Sequence, residues 1–583
     1  MTLEPPPRPA ADTPDETGFV KQGMVRWFNP RELAATAMRV ALSGVFGAYA
    51  DKRELQAALP QAEDLSYADR GELWVDYVAD LGDGFASTMT MAYLLAEEKL
   101  DPGLPGGQSF PTQRGSLLVM GGDQVYPTAT MENYENRMLG PYRAALPYVD
   151  GDNPELYAIP GNHDWYDGLT SFMRVFCQRK EIGGWLTRQS RSYFALELPH
   201  RWWLWGIDVQ FDAYIDLSQL EYFKSIAAER MQPGDSVILC TATPSWTKAV
   251  HKTPEAFANL DYVDRKIIRP AGAQIRAYVA GDTHHYARHA TADGATQLLT
   301  SGGGGAYLAN THHVPAKLAL PPPGSKVRTK TSPAQEFQVK AMYPSQARSR
   351  ALSLGVYKLP FLNPSFVALW AGVALTYGWV ALASLRDRDQ TLEVVARGVT
   401  FGELLVGFLT SPVAVLLTAA MFGAMIAFTQ STDWRKKYLL GGSHALVQML
   451  VIIEVMRLLA GLLAPVDGWA FTVAYLVGLG GVGGLLGAWT LAAYLWIADH
   501  FRCNANELFS AQHLEGYKNF MRMHIDETGR LTIYPIGVRR VTQRWELRPN
   551  GRPGDPWYQP ASSDMPRPHL IEPPIRLDPL RKT

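Results

Sequence analysis

Cysteine is scarce in this chain of 583 residues, which has only Cys177, Cys240 and Cys503 and no Cys-x-x-Cys pair. An odd and widely spaced set of cysteines argues against a disulfide framework and suits a reducing compartment. An excess of charge is also missing, because 55 lysines and arginines face 56 aspartates and glutamates. Without a basic surplus, the chain is not expected to bind nucleic acid.

The N-terminus lacks the apolar stretch of a cleaved secretory signal, and none is predicted. Residues 1–23, rich in proline and acidic side chains, are predicted to form a disordered tail, and residues 24–70 a helical segment from Arg31 to about Leu59. A Gly-Lys-Ser or Gly-Lys-Thr phosphate loop is absent as well. The run Gly302–Gly305 is therefore interpreted as a tight turn near the site rather than a nucleotide cradle.

Long apolar runs are absent up to about Tyr343 and dominate the sequence from Phe366 to Ile497. A helix needs about 20 apolar residues to cross a membrane, and four stretches reach this length: Phe366–Leu385, Leu404–Phe428, Ala445–Ala464 and Trp469–Ile497. The sequence therefore predicts a four-helix transmembrane bundle at residues 366–498, after a basic linker at 321–365. Residues 499–583 are predicted to be a small α+β tail that packs on the soluble domain, with elements at Glu507–Tyr517 (helix), Leu531–Gly537 and Gln543–Leu547 (strands).

An even number of spans places both soluble parts on one side of the membrane. Positive residues gather before the first span and between the second and third: Lys326, Arg328, Lys330, Lys340, Arg348, Arg350 and Arg435–Lys437. The last hairpin, Pro465–Gly468, has none, so the soluble domain and both termini are predicted to be cytoplasmic, on an inner or plasma membrane. Arg386, Arg388 and Arg397 in the first outer loop run against this rule.

The third span carries an acid and a base three residues apart, Glu454 and Arg457. This spacing favours a structural ion pair, and a transport function is the alternative. In the fourth span, small residues at Gly480, Gly484 and Ala488 predict close packing against another helix.

Residues 71–320 alternate short apolar runs with helical segments such as Ser87–Lys99 and Ser218–Arg230, which predicts a layered α/β domain. The predicted strands are Trp74–Ala79, Ser116–Met120, Leu156–Ile159, Arg201–Ile207, Ser236–Cys240, Ile275–Ala280 and Gln297–Thr300. In a domain of this kind, the loops beyond the strands are expected to carry the functional site.

Polar residues follow four of these strands, at Asp80 and in the strings Gly122–Tyr126, Gly161–Asp164 and Gly281–His284. A carboxylate can bridge two cations, and asparagine and imidazole can complete their coordination shells. A histidine just outside those shells can serve the leaving group of a hydrolysis. The pattern therefore predicts a two-metal hydrolase.

These motifs resemble those of the calcineurin-like metallophosphoesterase superfamily, over residues of about 71 to 310. Gly161–Asp164 is the most specific string, and Gly-Asp-x-x-Tyr at 122–126 is similar to the purple acid phosphatase form of its motif. The resemblance implies a double-sheet α/β sandwich with a dinuclear metal centre. It also implies hydrolysis of a phosphoester or phosphoanhydride bond by a metal-activated hydroxide.

The resemblance also assigns metal ligands, residue by residue. Asp80 and His284 would bind the first metal, Asn162 the second, and Asp123 both. Tyr126 would be a tyrosinate ligand to a ferric ion, or else an ordinary buried tyrosine.

The resemblance further implies that His163 lies beside the scissile phosphate, where it stabilises charge or protonates the leaving oxygen, and that Asp164 orients it. His285 and His312 are weaker candidates for the phosphate pocket. For His312, a surface loop is the alternative.

The chain departs from the family pattern at three places. Gly82 stands where the first motif usually has histidine, as it does in the purple enzymes. The stretch Val237–Pro244 lacks the expected histidine, and Cys240 within it is interpreted as a buried strand residue rather than a ligand. Asp282 replaces an imidazole at the second metal. More oxygen ligands favour manganese, iron or magnesium, with zinc as a further option.

The predicted function is a membrane-anchored phosphoesterase that uses two divalent or trivalent metal ions. The anchor favours a phosphorylated substrate that is lipid-linked or close to the lipid bilayer. The alternative is a catalytically degenerate phosphoesterase fold that serves as a binding or regulatory module of a membrane complex. The missing histidine favours this alternative. No particular oligomeric state is predicted.

Overall fold

The computed structural model describes residues 7–35, 38, 65–209, 214–251, 253–329, 333–386 and 390–580. The chain forms two compact units. The α/β unit comprises Met1–Val25, Thr36–Ser349 and Leu514–Thr583, and the helical unit comprises Arg26–Ala35 and Arg350–His513. Most of the helix predicted from Arg31 to about Leu59 lies outside the described residues.

Two large sheets form the α/β unit. Among the described residues, the first sheet has nine strands, in the spatial order Pro568–Leu570, Leu531–Val538, Lys518–Ile525, Leu73–Val78, Leu117–Met120, Glu155–Ala158, Trp185–Thr187 and Glu181–Ile182, with Ile575–Leu577 also paired to Leu531–Val538. The second has eight within the same described ranges, in the order Lys317–Leu320, Gln335–Tyr343, Tyr286–Ala290, Gln297–Ser301, Gln274–Ala280, Ser236–Thr241, Trp202–Ile207 and Phe194–Leu198. Two short hairpins join Lys99–Leu100 to Thr112–Gln113 and Trp545–Leu547 to Tyr558–Pro560.

Helices and helical turns cover the outer faces of the sheets and fill the loops. The α-helices are Pro14–Thr17, Phe85–Ala96, Met131–Tyr134, Gly140–Ala145, Asn162–Trp165, Thr170–Phe176, Leu217–Glu229, Ser245–His251, Ala258–Val263 and Gln346–Ser353, the last of which crosses into the helical unit. Glu135–Leu139 and Asp264–Ile268 are π-helical, and Pro199–Arg201, Pro254–Phe257, Arg269–Ala271 and Ser562–Asp564 are 3-10 turns.

Successive side chains of a strand point to opposite faces of its sheet, and both faces are buried here. Val119 of the first sheet and Ile238 of the second share one apolar cluster between the sheets. Met120 instead lies in the cluster beneath the helices on the outer face of the first sheet, and Leu239 in the corresponding cluster of the second. The predicted double-sheet α/β sandwich is confirmed.

The segment after the apolar helices completes the first sheet. Lys518–Ile525 pairs antiparallel with Leu73–Val78, and Leu531–Val538 pairs with Lys518–Ile525 in turn. The C-terminal residues therefore do not form a separate small tail that packs on the domain, because they supply strands of its sheet.

The helix predicted over Glu507–Tyr517 is shorter in the structure, where it covers Ala505–Ser510. His513 and Tyr517 have left-handed backbone, with φ of 52° and 59°. Side-chain-bearing residues in this conformation cannot continue a right-handed helix, so the chain turns and enters the strand.

Residues 7–23, predicted to be disordered, contain the short helix Pro14–Thr17. Phe19 has only 3% of its surface exposed, and its ring stacks on Phe85 with centroids 6.1 Å apart. The composition of the segment hides this anchor, because a single aromatic side chain buries much apolar area within an otherwise polar stretch.

The helical unit contains three described helices long and apolar enough to cross a membrane: Pro364–Leu385, Trp434–Leu462 and Gly468–His500. The predicted second span is broken into Phe401–Thr410 and Pro412–Phe428, bent by 85°. Ser411 is extended because a residue before proline avoids the helical region, and Pro412 has no N–H to continue the helix. The described part of the unit therefore has three full-length candidate spans, or four when the bent pair counts as one.

The other helical segments of this unit are short: Leu354–Lys358 (3-10), Leu359–Leu362, Leu392–Gly398 and Ala505–Ser510. Gly484 packs tightly, since a Cβ there would lie 2.7 Å from Val367 O. Arg457 Nη2 lies 3.0 Å from Glu454 Oε2, so the predicted ion pair forms within one helix. Arg397, one of the arginines that run against the positive-inside rule, pairs with Glu393 at 3.1 Å, which offsets its charge.

Candidate metal and phosphate site

The candidate site lies at the carboxyl ends of parallel strands. Leu73–Val78, Leu117–Met120 and Glu155–Ala158 run parallel in the first sheet, as do Ser236–Thr241 and Gln274–Ala280 in the second. The carboxyl ends of parallel strands meet at the same edge of a sheet, and ligand sites form there. The predicted site residues that follow these strands are therefore brought together: Asp80, Asp123, Tyr126, Asn162, His163, Asp164, Asp282 and His284.

Four of these side chains converge on one buried point. The Tyr126 hydroxyl lies 3.0 Å from Asp80 Oδ1, 3.3 Å from Asp123 Oδ2 and 3.0 Å from His284 Nε2. His284 Nε2 is itself 3.6 Å from Asp80 Oδ1. Two carboxylates, a phenol and an imidazole at these separations are donors that can surround a single cation.

Glycines let the backbone approach these carboxylates. A Cβ on Gly161 would lie 2.1 Å from Asp123 Oδ1, and one on Gly281 would lie 2.4 Å from Asp80 Oδ2. The glycines that begin two of the motifs are therefore required by space. Any side chain would collide with Asp123, which follows a neighbouring strand, or with Asp80, which follows a strand of the other sheet.

The backbone of the site is strained. Asp80, Asp123, Asp282 and His284 have φ of 60°, 51°, 64° and 33°. This left-handed region is unfavourable for residues other than glycine, although aspartate tolerates it better than most. Four such residues in one cluster are typical of a functional site, where the surrounding fold enforces a conformation that the chain would not choose.

Gly82 stands where the common first motif has histidine, and the space around it explains why a histidine is absent. Tyr126 N donates to Gly82 O at 2.9 Å, and this hydrogen bond joins the loop after Asp80 to the loop after Asp123. A Cβ on Gly82 would lie 2.5 Å from Gln124 O, so a histidine could not occupy this position. The close loops instead bring the Tyr126 hydroxyl to Asp80.

Replacing Gly82 by alanine is expected to weaken Mn²⁺ binding by about tenfold or more, because separating the loops moves the Tyr126 hydroxyl off Asp80. Gly71→Ala is the matched control, since nothing lies within 4 Å of a Cβ at Gly71. Isothermal titration with Mn²⁺ measures both variants. Equal affinity in Gly82→Ala and Gly71→Ala would contradict this account of the loop.

The electrostatics of the cluster favour a cation. Burial, followed by the charges of Asp123 and Asp282, raises the pKa of Asp80 well above its usual value. Burial also raises the pKa of Asp123, and burial, then Lys518, lowers the pKa of His284 to about 3. The imidazole is therefore neutral, as a metal ligand must be, and a cation would relieve the repulsion between the acids. The residues present fit one metal ion here.

His163 is placed by its backbone and by one carbonyl. His163 N donates to Asp123 Oδ1 at 2.8 Å, and Nδ1 lies 2.9 Å from Pro127 O. A carbonyl only accepts, so Nδ1 carries the proton, and Nε2 is the atom that can exchange one.

The carboxylate of Asp164, which is predicted to orient His163, accepts hydrogen bonds from other groups. Its Oδ2 accepts from Gly161 N at 2.9 Å and Gln124 N at 3.3 Å, and Oδ1 accepts from the Tyr134 hydroxyl. Burial, then Asp123, raises the pKa of Asp164 to about 8. Asp164 therefore fixes the two motif loops to each other, and Pro127 orients His163.

A cavity of about 270 Å³ opens beside this cluster. Its lining residues are Pro160, Gly161, Asn162, Val209, Ala242, Thr243, Lys248 and Asp282. Lys248 Nζ lies 3.4 Å from Asp282 Oδ2. Sequence reasoning missed Lys248, although its position four residues after the motif that lacks histidine is a signal that could have found it.

Three other predicted residues have different surroundings. Cys240 is fully buried in the apolar cluster between the sheets, as interpreted. His285 is buried, which lowers its pKa to about 3, and His312 Nδ1 lies 2.8 Å from Ser349 Oγ. In the part of the chain that the structure describes, neither histidine lines the cavity.

One family model matches part of the chain. Residues 73–286 match the family model for calcineurin-like phosphoesterases. No curated protein matches the chain. Similar solved structures include GAP50, the anchor in the inner membrane complex of Plasmodium, at 14% identity and a TM-score of 0.31, covering 41% of this chain and 74% of that one. They also include PhoD, at 10% identity and a TM-score of 0.26, covering 41% and 58%.

Proposed function

We propose that this chain, whose residues 73–286 form a calcineurin-like phosphoesterase domain, hydrolyses a phosphate ester or anhydride in a metal-dependent reaction next to a membrane. The observation that supports this most is the convergence of Asp80, Asp123, Tyr126 and His284 on one buried point. Three oxygen donors and one nitrogen favour manganese, iron or magnesium over zinc.

A cation held by these groups would polarise a phosphoryl oxygen and lower the pKa of a water molecule. The family pattern implies a second cation, for which Asp123, Asn162 and Asp282 are the matching residues. The cavity lined by Asn162 and Asp282 is where a phosphoryl group would be received. His163 is proposed to protonate the leaving oxygen through Nε2, while Pro127 O holds its other proton in place.

Hydrolysis of a generic phosphomonoester and a phosphodiester by the detergent-purified chain tests this proposal. Turnover is expected with added Mn²⁺ or iron, and Asn162→Ala is expected to lower it by about tenfold to a hundredfold. Asn153→Ala, in a loop away from the site, is the matched control. If wild type and Asn162→Ala give the same background under every ion, the chain is not an enzyme of this kind, and the alternative of a binding or regulatory module gains support.

The sheet topology supports an even number of membrane crossings. Strands from before and after the helical unit lie side by side, since Leu73–Val78 pairs with Lys518–Ile525. Both flanks must therefore lie on the same side of any membrane that the helical unit spans. With three full-length apolar helices, this parity implies that the bent pair Phe401–Thr410 and Pro412–Phe428 together crosses once. The positive-inside rule favours the cytoplasm for these flanks. A phosphorylated substrate close to the membrane is part of the same proposal.

Cysteine labelling in membrane vesicles tests the parity. In a cysteine-free background, Lys326→Cys and Glu515→Cys are expected to react with an impermeant maleimide from the same side. Asp467→Cys, in the last hairpin, is expected to react from the opposite side. Reaction of positions 326 and 515 from opposite sides would contradict the topology.

A further inference from the structure

Lys248 lies on the side of the site where the family pattern implies a second metal. Lys248 lies on the helix Ser245–His251, which begins four residues after the strand Ser236–Thr241. The stretch Val237–Pro244, directly before this helix, is the one in which the family pattern has histidine. Among the described residues that line the cavity, Lys248 is the one with a positive charge.

Two of the three candidate ligands for a second cation, Asp282 and Asp123, already have partners. Lys248 Nζ lies 3.4 Å from Asp282 Oδ2, so an ammonium group already neutralises that carboxylate. Asp123 Oδ2 faces the Tyr126 hydroxyl at 3.3 Å, and its other oxygen accepts from His163 N at 2.8 Å. Asn162 donates its side-chain N–H to the Tyr166 hydroxyl at 3.0 Å, which leaves its amide oxygen as the ligand atom.

A second divalent ion does not fit this arrangement. It would share Asp282 with Lys248 in a partly buried cavity, where like charges repel strongly because water screens them poorly. The described lining residues also include no imidazole, so a second ion would lack the nitrogen ligand that could compensate for this repulsion by binding more tightly.

We propose that Lys248 supplies the positive charge that a second metal provides in the family pattern, so that the centre binds one metal ion and Lys248 binds an anionic oxygen of the substrate phosphate. The inference rests on the proposed function. Lysine is well suited to this task, because its ammonium is a compact charge with three donors on a flexible stem. The Lys248 side chain is 33% exposed, so its ammonium can turn from Asp282 toward a phosphate in the cavity.

Two titrations of the purified full chain test the proposal. Mn²⁺ is expected to bind with a stoichiometry of roughly one per chain, where the two-metal pattern of the family would give about two. With Mn²⁺ present, inorganic phosphate is expected to bind about tenfold or more weakly to Lys248→Met than to wild type, because a charge-assisted hydrogen bond is lost. Lys248→Arg is expected to keep most of the phosphate affinity.

Lys224→Met is the matched control, because Lys224 is an exposed lysine on the helix Leu217–Glu229. Unchanged phosphate affinity in Lys248→Met, or two Mn²⁺ ions per wild-type chain, would overturn the inference. A chain with two ions and metal-dependent turnover would still be a phosphoesterase. A chain that binds no metal ion and has no turnover would instead remove the proposed function itself.

Discussion

Replacing His163 by asparagine is expected to lower the turnover of a phosphomonoester by about a hundredfold to ten-thousandfold, the range that general acid–base catalysis contributes. Metal binding is expected to change much less than turnover, because the hydrogen bond of His163 to Asp123 Oδ1 comes from its backbone N–H and is kept by asparagine. The ring of His163 packs on Tyr126, with centroids 4.4 Å apart. Steady-state kinetics and Mn²⁺ titration of the same preparation separate these two effects.

The dependence on the leaving group makes this test specific. If Nε2 of His163 protonates the leaving oxygen, the defect of His163→Asn is larger for an alkyl phosphate than for nitrophenyl phosphate, whose leaving group needs no proton. His200→Asn is the control, since His200 is a distant histidine that contacts Gly71 O at 2.7 Å. An equal loss for both substrates would show that His163 acts in another way, for example by stabilising charge.

The second large effect concerns a buried ion pair that joins the strand Lys518–Ile525 to the strand Leu73–Val78. Arg522 Nε lies 3.3 Å from Asp76 Oδ1, and neither side chain is more than 3% exposed. Arg522 also donates to Glu97 O at 2.9 Å and Leu94 O at 3.2 Å. Removing one partner of a buried pair leaves an uncompensated charge, and Asp76→Ala is therefore expected to cost about 3–5 kcal/mol of stability.

Hydrogen exchange in the strand Lys518–Ile525 of the full chain in detergent measures this cost. The double variant Asp76→Leu with Arg522→Met is expected to recover most of the loss, because well-packed apolar residues often replace a buried pair at no net cost. Unchanged exchange in Asp76→Ala would show that the pair does not hold the strand.

The same carboxylate predicts a pH dependence. Burial raises the pKa of Asp76 to about 6, although Arg522 opposes this shift. In the unfolded chain the group loses its proton near its ordinary value, so the folded form binds the proton more tightly. This preference of the folded form for the proton adds to stability below the ordinary pKa of the group, and it is lost as the pH rises through the raised pKa. This part of the pH profile is expected to disappear in Asp76→Asn.

The strand Lys518–Ile525 also holds part of the site in place. Asn519 N donates to Gly303 O at 3.0 Å, and Asn519 Oδ1 accepts from Ser301 Oγ at 2.9 Å. The glycine run that follows Ser301 reaches the first motif, since Ala306 N donates to Asp80 O at 2.9 Å. Loss of the strand is therefore expected to weaken metal binding as well as stability.

Local sequence patterns predict the bounds of a helix or strand closely where neighbouring residues alone determine those bounds. The strand expected at Gln297–Thr300 is Gln297–Ser301, and the helix expected at Ser218–Arg230 is Leu217–Glu229. The motif residues are near one another because each follows a parallel strand, which a sequence pattern can indicate.

Other features depend on contacts that no local pattern carries. Lys518–Ile525 pairs with a strand more than 400 residues earlier, and its side chains are buried on both faces, so no alternation marks it. The break before Pro412 was missed because the apolar run continues through it. Lys248 was missed because a lone lysine on a short helix belongs to no recognisable motif. Only the fold shows that its ammonium lies beside the carboxylate of Asp282.

The metal content of the purified chain, compared between wild type and Asp80→Asn, tests the central claim most directly. The account predicts that wild type retains manganese or iron after desalting, that a chelator removes the metal and turnover together, and that Asp80→Asn retains neither. Metal-free wild-type protein that hydrolyses no phosphoester under any added ion would contradict it.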